Sequence, residues 1–125
     1  MVRTIISAFI TLALLLGVSF YEASYVQNKF EEFYTHLHSL KRKTELGSVS
    51  YTDGLSIREF WDEHKVTMHI WIPHTVLYEI DYQLDEAIGF IYVKDLKSAL
   101  PKIEVLLGLS ENVPKGYTLT LGNIF

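Results

Sequence analysis

The chain opens with a run of seventeen uncharged residues, from Thr4 to Phe20, and this run constrains the fold more than any other feature. As a helix, residues 4–21 would be about 27 Å long, which is close to the apolar thickness of a bilayer. A cleaved signal peptide normally has a shorter apolar stretch and small residues at its cleavage site, whereas this run ends in the bulky pair Phe20 and Tyr21. Aromatic side chains are typical of the membrane–water interface. We predict a retained transmembrane anchor in residues 1–24, with a cleaved signal and a buried core helix as the alternatives.

Few charges flank the predicted span. The amino terminus and Arg3 precede it and Glu22 follows it, so the positive-inside rule predicts a cytoplasmic N-terminus and an extracytoplasmic C-terminal domain. The basic residues 41–43 favour the opposite orientation, but they lie about 20 residues beyond the span, at the limit of the rule. The expected location is the cell membrane, crossed once.

Beyond the span the apolar residues become periodic. They recur in steps of three and four, which is the spacing of one helix face. The positions are Val26, Phe30, Phe33, Leu37 and Leu40. No Pro or Gly follows until Gly47, so the membrane helix should continue as one rod to about residue 45. Its apolar stripe needs a partner, either other helices of the chain or a second copy in a homodimer.

Three more helices are predicted after the Gly- and Ser-rich turn at residues 47–54. Ser56 and Glu59 form an S-x-x-E capping box at the expected start of the second helix, and Pro73 should end it. Its predicted apolar face carries Ile57, Phe60, Trp61, His64, Met68, Trp71 and Ile72.

The third and fourth helices follow the same logic. Asp95 should cap the fourth helix, Pro101 should kink or break it, and Gly108, Pro114 and Gly116 should mark its end. The predicted apolar face of the third helix consists of Leu77, Ile80, Leu84, Ala87, Ile88 and Ile91. Short connections between amphipathic helices favour antiparallel neighbours. The predicted fold is all-α: a transmembrane helix that continues into an antiparallel up-and-down bundle of about four helices, residues 25–125.

Charge and cysteine content exclude several classes of function. The net charge is −4, and Arg3 and Glu22 cancel, so the predicted domain remains acidic and offers no broad basic face for nucleic acid. The absence of cysteine excludes disulfides, zinc–thiolate sites and a cysteine nucleophile.

Several motifs carry a resemblance to a known family: Trp61, the run WIPHTVLYEID from Trp71 to Asp81, and the terminal Asn123–Phe125. With the N-terminal apolar helix, they make the whole chain resemble the bacterial family called domain of unknown function 4363. The resemblance places His74, Asp81 and Asn123–Phe125 on the family pattern, from which Pro73 departs. It implies a helical, membrane-anchored protein and implies no chemistry.

Histidines supply the first candidate site. His64, His69 and His74 recur every five residues, a spacing at which side chains on one helix diverge unless the Pro73 turn folds His74 back. A ligand- or partner-binding site is therefore predicted around this turn. Its candidate residues are Trp61, His64, Trp71, His74 and Asp81.

Catalytic motifs are missing from the sequence. Asp81 and Asp85 share a face of an acidic helix, which is compatible with acid–base chemistry or a solvated surface. No helix carries a Glu-x-x-His pair, and phosphate loops and nucleophile motifs are absent. We expect no enzyme, no cofactor and no metal site.

The leading functional hypothesis is a non-enzymatic accessory subunit that binds an integral-membrane partner. A membrane-tethered sensor or small-ligand binder, with a pocket lined by Trp61, His64, Trp71 and His74, is the alternative. A hydrolase using Asp81 and Asp85 ranks third.

Overall fold

The computed structural model describes the backbone of residues 1–124 and the side chains of residues 1–116. Within these limits the chain forms four helices and no strand, which confirms the predicted all-α bundle. The helices are α1 (Val2–Leu46), α2 (Tyr51–Met68), α3 (His74–Tyr92) and α4 (Leu96–Ile124). Each packs against its neighbours in sequence, and α4 also packs against α1, which closes an up-down-up-down bundle.

Helix α1 runs without a break from the apolar segment into the bundle, as predicted. It ends at Gly47, whose φ of 75° lies in the left-handed region that glycine adopts at little cost. The N–H of Ser48 donates to the Lys43 carbonyl at 2.9 Å, which satisfies one of the last helical acceptors.

The two halves of α1 have opposite surroundings. Residues 2–21 lie outside the core, whereas the stripe from Val26 to Leu40 is buried by the other helices of the same chain. Among the described residues, α1 is the helix that is long and apolar enough to cross a membrane, and none of its apolar window is buried. The buried-core alternative for the N-terminal run is therefore wrong, and the stripe finds its partners within the chain.

Ion pairs at the surface bridge all four packed interfaces. Lys43 meets Asp53 between α1 and α2 at 3.0 Å, and Lys41 meets Glu104 between α1 and α4 at 2.6 Å. The other two pairs are Arg58–Asp85 and Lys102–Glu86. Exposed pairs add little stability, but together they mark the register of antiparallel neighbours.

Helix α2 begins earlier than predicted. Ser50 is its N-cap and forms the capping box with Asp53, whose carboxylate accepts the Ser50 N–H at 2.9 Å. The predicted start at Ser56 is wrong, because Ser56 lies inside the helix and donates to the Thr52 carbonyl. Gly54 belongs to the helix rather than to a turn, and its backbone packs against Ile88 of α3.

The other end of α2 also differs from the prediction. The helix stops at Met68, residues 69–73 form a turn, and Pro73 is the N-cap of α3. Trp71 is therefore exposed and does not lie on the buried face of α2, whereas Ile72 is buried. The helical spacing of apolar residues in the sequence extends to Ile72, whereas the backbone leaves the helix after Met68.

Helix α4 is longer than predicted. The Asp95 carboxylate accepts the Ser98 N–H at 3.3 Å, which confirms the predicted cap. The helix then continues through Pro101 and Pro114, so no break occurs at Pro101 and the expected end at Gly108, Pro114 and Gly116 is wrong. Proline removes a backbone donor and crowds the carbonyl four residues earlier; Pro114 is buried against the bundle, which offsets part of this cost, whereas Pro101 is exposed.

Candidate functional site

A buried polar link joins α2 to α3. The Trp61 indole, fully buried and in contact with the rings of Phe30 and Phe33, donates from Nε1 to Asp81 Oδ1 at 2.6 Å. Lys65 Nζ approaches the two Asp81 oxygens at 3.4 and 3.2 Å. Asp81 is thus buried with both a neutral and a charged donor, the arrangement that makes a buried carboxylate tolerable.

The remaining acidic residues of α3 have separate partners. Asp85 pairs with Arg58 of α2, Glu86 with Lys102 of α4 at 2.8 Å, and Glu79 accepts from Gln83. Asp81 and Asp85 therefore each pair with a different cation, Lys65 and Arg58 respectively.

His64 is directed toward α1. Its Nδ1 lies 3.3 Å from the hydroxyl of Tyr25 in α1, and its ring packs 4.6 Å from that of Phe60, centroid to centroid. This half-buried contact ties α2 to α1 at the level where the core begins.

The Pro73 turn folds His74 back toward His69, so these two of the three spaced histidines meet. The rings of His69 and His74 are 3.8 Å apart, centroid to centroid, and nearly perpendicular. Both residues are exposed, as is Trp71 between them. The turn therefore presents two imidazoles and an indole at the surface.

The five predicted site residues thus lie in three places. Trp61 and Asp81 meet in the interior, His64 faces α1, and Trp71 and His74 lie on the surface of the turn. The five were predicted to form one site because they are close in sequence. In the bundle their side chains lie on different helix faces, so they do not form one site.

A groove that the sequence did not indicate lies between α1 and α4, with a volume of about 760 Å³. None of the five residues lines it. Its walls come from Gln27, Phe30, Glu31, Tyr34, Thr35, Ser110, Glu111, Pro114 and Lys115. One wall of this groove lies where the sequence predicted the end of α4, at Gly108, Pro114 and Gly116, so the groove was not predicted.

A family model matches residues 20–124, which is most of the chain and the whole packed part of it. The chain belongs to the family called domain of unknown function 4363 (DUF4363). No curated protein and no solved structure matches it. In this DUF4363 chain the family-pattern residues His74 and Asp81 fall on the exposed turn and in the buried link, and the side chains of Asn123–Phe125 lie outside the described residues.

The electrostatics of the DUF4363 bundle are local. The Ser50 N–H and the Lys43 ammonium hold the pKa of Asp53 below its usual value, and the Glu104 carboxylate raises the pKa of Lys41. Among residues 1–116, no three His, Asp or Glu side chains converge as metal ligands would. The features suited to binding are the α1–α4 groove and the exposed turn.

Proposed function

We propose that this DUF4363 protein is a single-pass membrane protein whose bundle acts as a non-enzymatic accessory subunit of an integral-membrane partner. One observation carries the proposal: a single unbroken helix, α1, supplies both an exposed apolar segment of membrane-spanning length and one wall of the bundle core. A partner that touches the span is thereby rigidly coupled to the bundle.

Retention of the span is supported by the sequence at its end. Phe20 and Tyr21 are bulky and exposed, and they stand where a signal peptidase needs small residues. The mass of the mature protein distinguishes a retained span from a cleaved signal, because cleavage near residue 24 would remove the N-terminal segment and leave the bundle residues of α1 in place.

The α1–α4 groove is the surface that we assign to the partner. It lies on the anchor helix, so a membrane protein that packs along the span can continue onto the groove. Tyr34 supplies exposed apolar contact area, whereas Phe30 lines the groove but is itself fully buried, and Glu31 and Lys115 add charges of both signs.

Site-specific photocrosslinking in the native membrane tests this assignment. A photoreactive phenylalanine analogue replaces Tyr34 in the groove or, as the matched control, the exposed Tyr92 at the opposite end of the bundle. We expect one discrete adduct with an integral-membrane protein from position 34 and none from position 92. Replacement of residues 1–24 by an unrelated membrane helix should weaken the adduct if the span contributes. No adduct from position 34, or equal adducts from both positions, would contradict the assignment.

A pH-sensing role at the Pro73 turn is the second candidate, and the contact between His69 and His74 favours it. The two ring centroids are 3.8 Å apart, so a change in the charge of either imidazole would act directly on the other. Trp71 lies between them in the sequence and reports on the turn. Its fluorescence should change between about pH 8 and pH 5 in the wild-type protein and not in His74→Asn, and an identical response from both proteins would dismiss this role.

A further inference from the structure

The Pro73 turn, residues 69–73, connects α2 to α3 and is called the α2–α3 turn below. It lies at the level where the apolar segment of α1 ends. Because Tyr25 contacts His64, the two antiparallel helices are in register at these residues. Tyr21 is four residues from Tyr25 along α1, about 6 Å, and Ile70 is six residues beyond His64, about 9 Å in the same direction. The turn is therefore within about one helical turn of Tyr21, at the end of the bundle that faces the apolar segment.

Apolar side chains point outward from this end of the bundle. Ile70 is 70% exposed, Val66 73% and Trp71 36%, whereas the adjacent Ile72 is 3% exposed and anchors the turn in the core. An exposed isoleucine beside a tryptophan is costly in water and is favourable at a membrane interface, where Trp is enriched.

The backbone donors of the turn are satisfied within the chain. The N–H groups of residues 69–72 all donate to carbonyls of α2, at distances between 2.9 and 3.4 Å. Pro73 has no N–H to satisfy. Because unpaired backbone groups are what exclude irregular backbone from the apolar boundary of a bilayer, the paired donors lower the cost of placing this turn at the membrane interface, where its carbonyls can still meet water.

We propose that the α2–α3 turn is a second membrane contact, in which Ile70 and Trp71 insert among the lipids of the leaflet that α1 leaves. The proposal rests on the proposed anchoring of α1. The bundle is then held against the bilayer at two points, which restricts its rotation about the anchor and presents the α1–α4 groove in one orientation.

Depth-dependent fluorescence quenching of the full-length protein tests the contact. The protein is reconstituted into phosphatidylcholine vesicles whose acyl chains carry bromine near the headgroup or near the chain end, with no other protein present. Trp61 is buried in the core, so the difference between wild type and Trp71→Phe gives the signal of Trp71. We expect headgroup-proximal bromine to reduce Trp71 emission, and the additional change Ile70→Asp to abolish most of that loss.

Two reporters in the Trp71→Phe background separate this proposal from the anchor proposal. Ile10→Trp lies within the apolar segment, and Tyr92→Trp lies at the far end of the bundle. Quenching at position 10 without quenching of Trp71 would overturn the membrane contact and leave the anchor standing, with the turn then free for the partner protein. No quenching at position 10 would overturn the anchor and the contact together. Equal quenching of Trp71 and of Trp at position 92 would indicate a bundle lying flat on the bilayer and would also overturn the proposed contact.

Bimane attached to Ile70→Cys gives an independent check if Trp71→Phe perturbs folding, since the chain contains no other cysteine. Its emission should fall with the same headgroup-proximal bromine. An unchanged emission would count against insertion of the turn.

Discussion

Asp81 of α3 accepts the indole N–H of Trp61 of α2 at 2.6 Å in the interior of the bundle, beside the ammonium group of Lys65. The two helices are thus joined by a buried polar contact, in addition to the exposed Arg58–Asp85 pair. A buried donor that loses its acceptor costs more than the hydrogen bond contributed, because it remains desolvated without compensation. The effect of this link is therefore measured best by removing the acceptor and leaving the indole.

Asp81→Ala should reduce the free energy of unfolding by about 2 to 3 kcal/mol, since it strands the Trp61 indole. Asp81→Asn keeps an acceptor and should cost about 1 kcal/mol. Asp85→Ala is the control, because it breaks an exposed pair in the same interface and should cost less than about 1 kcal/mol. Urea unfolding in mild detergent, followed by circular dichroism, gives these values. Equal losses for Asp81→Ala and Asp85→Ala would refute a special role for the buried link.

Gly54 should resist substitution. A Cβ at this position would lie 3.0 Å from Ile88 Cγ1, so the larger side chain of Gly54→Val must push α2 from α3 and should cost about 1 to 3 kcal/mol. Gly89→Ala is the matched control on the facing helix, where a Cβ meets nothing within 4 Å. There the better helix propensity of alanine should stabilise the protein by up to about 1 kcal/mol. Thermal unfolding of both variants decides the matter, and a Gly54→Val protein as stable as wild type would be inconsistent with the tight contact.

Acid should weaken the cap of α2. The pKa of Asp53 is lowered by the Ser50 N–H and by Lys43, so its ionised form stabilises the folded state at any pH above its unfolded value of about 3.9. That contribution is lost as the pH falls through the lowered folded pKa. The unfolding free energy of wild type should therefore decrease below about pH 4 more steeply than that of Asp53→Asn. Parallel pH profiles for the two proteins would show that the carboxylate has no such role.

The orientation of the span is open to direct labelling, because the chain has no native cysteine. Ser48→Cys places a thiol just beyond α1 at the far end of the bundle, and Val2→Cys places one at the start of the helix. A membrane-impermeant maleimide should modify position 48 in intact cells and position 2 only after permeabilisation. The reverse pattern would place the bundle in the cytoplasm.

Helix α1 was predictable because its evidence is local. The uncharged run, the stripe from Val26 to Leu40 and the stop at Gly47 each depend on residues adjacent in sequence, and the helix of the structure reproduces all three. The cap at Asp95 was predictable for the same reason.

Other boundaries were decided by packing. The start of α2 was predicted at Ser56 with Glu59, after a turn that included Gly54, whereas the helix begins at Ser50 with Asp53. In the bundle Gly54 permits the close approach of Ile88, so the helix includes it. Pro114 lies within α4 for a related reason, since its burial outweighs its local tendency to end a helix.

The sequence by itself determined an all-α chain with an N-terminal apolar segment of membrane-spanning length, because hydrophobic periodicity is a property of neighbouring residues. Tertiary structure alone decided that Trp61 meets Asp81, that α1 and α4 enclose a groove, and that Tyr25 meets His64. Each of these depends on the register between two helices. That register follows from how side chains far apart in sequence fill one core, and the periodicity of any single helix is compatible with many registers.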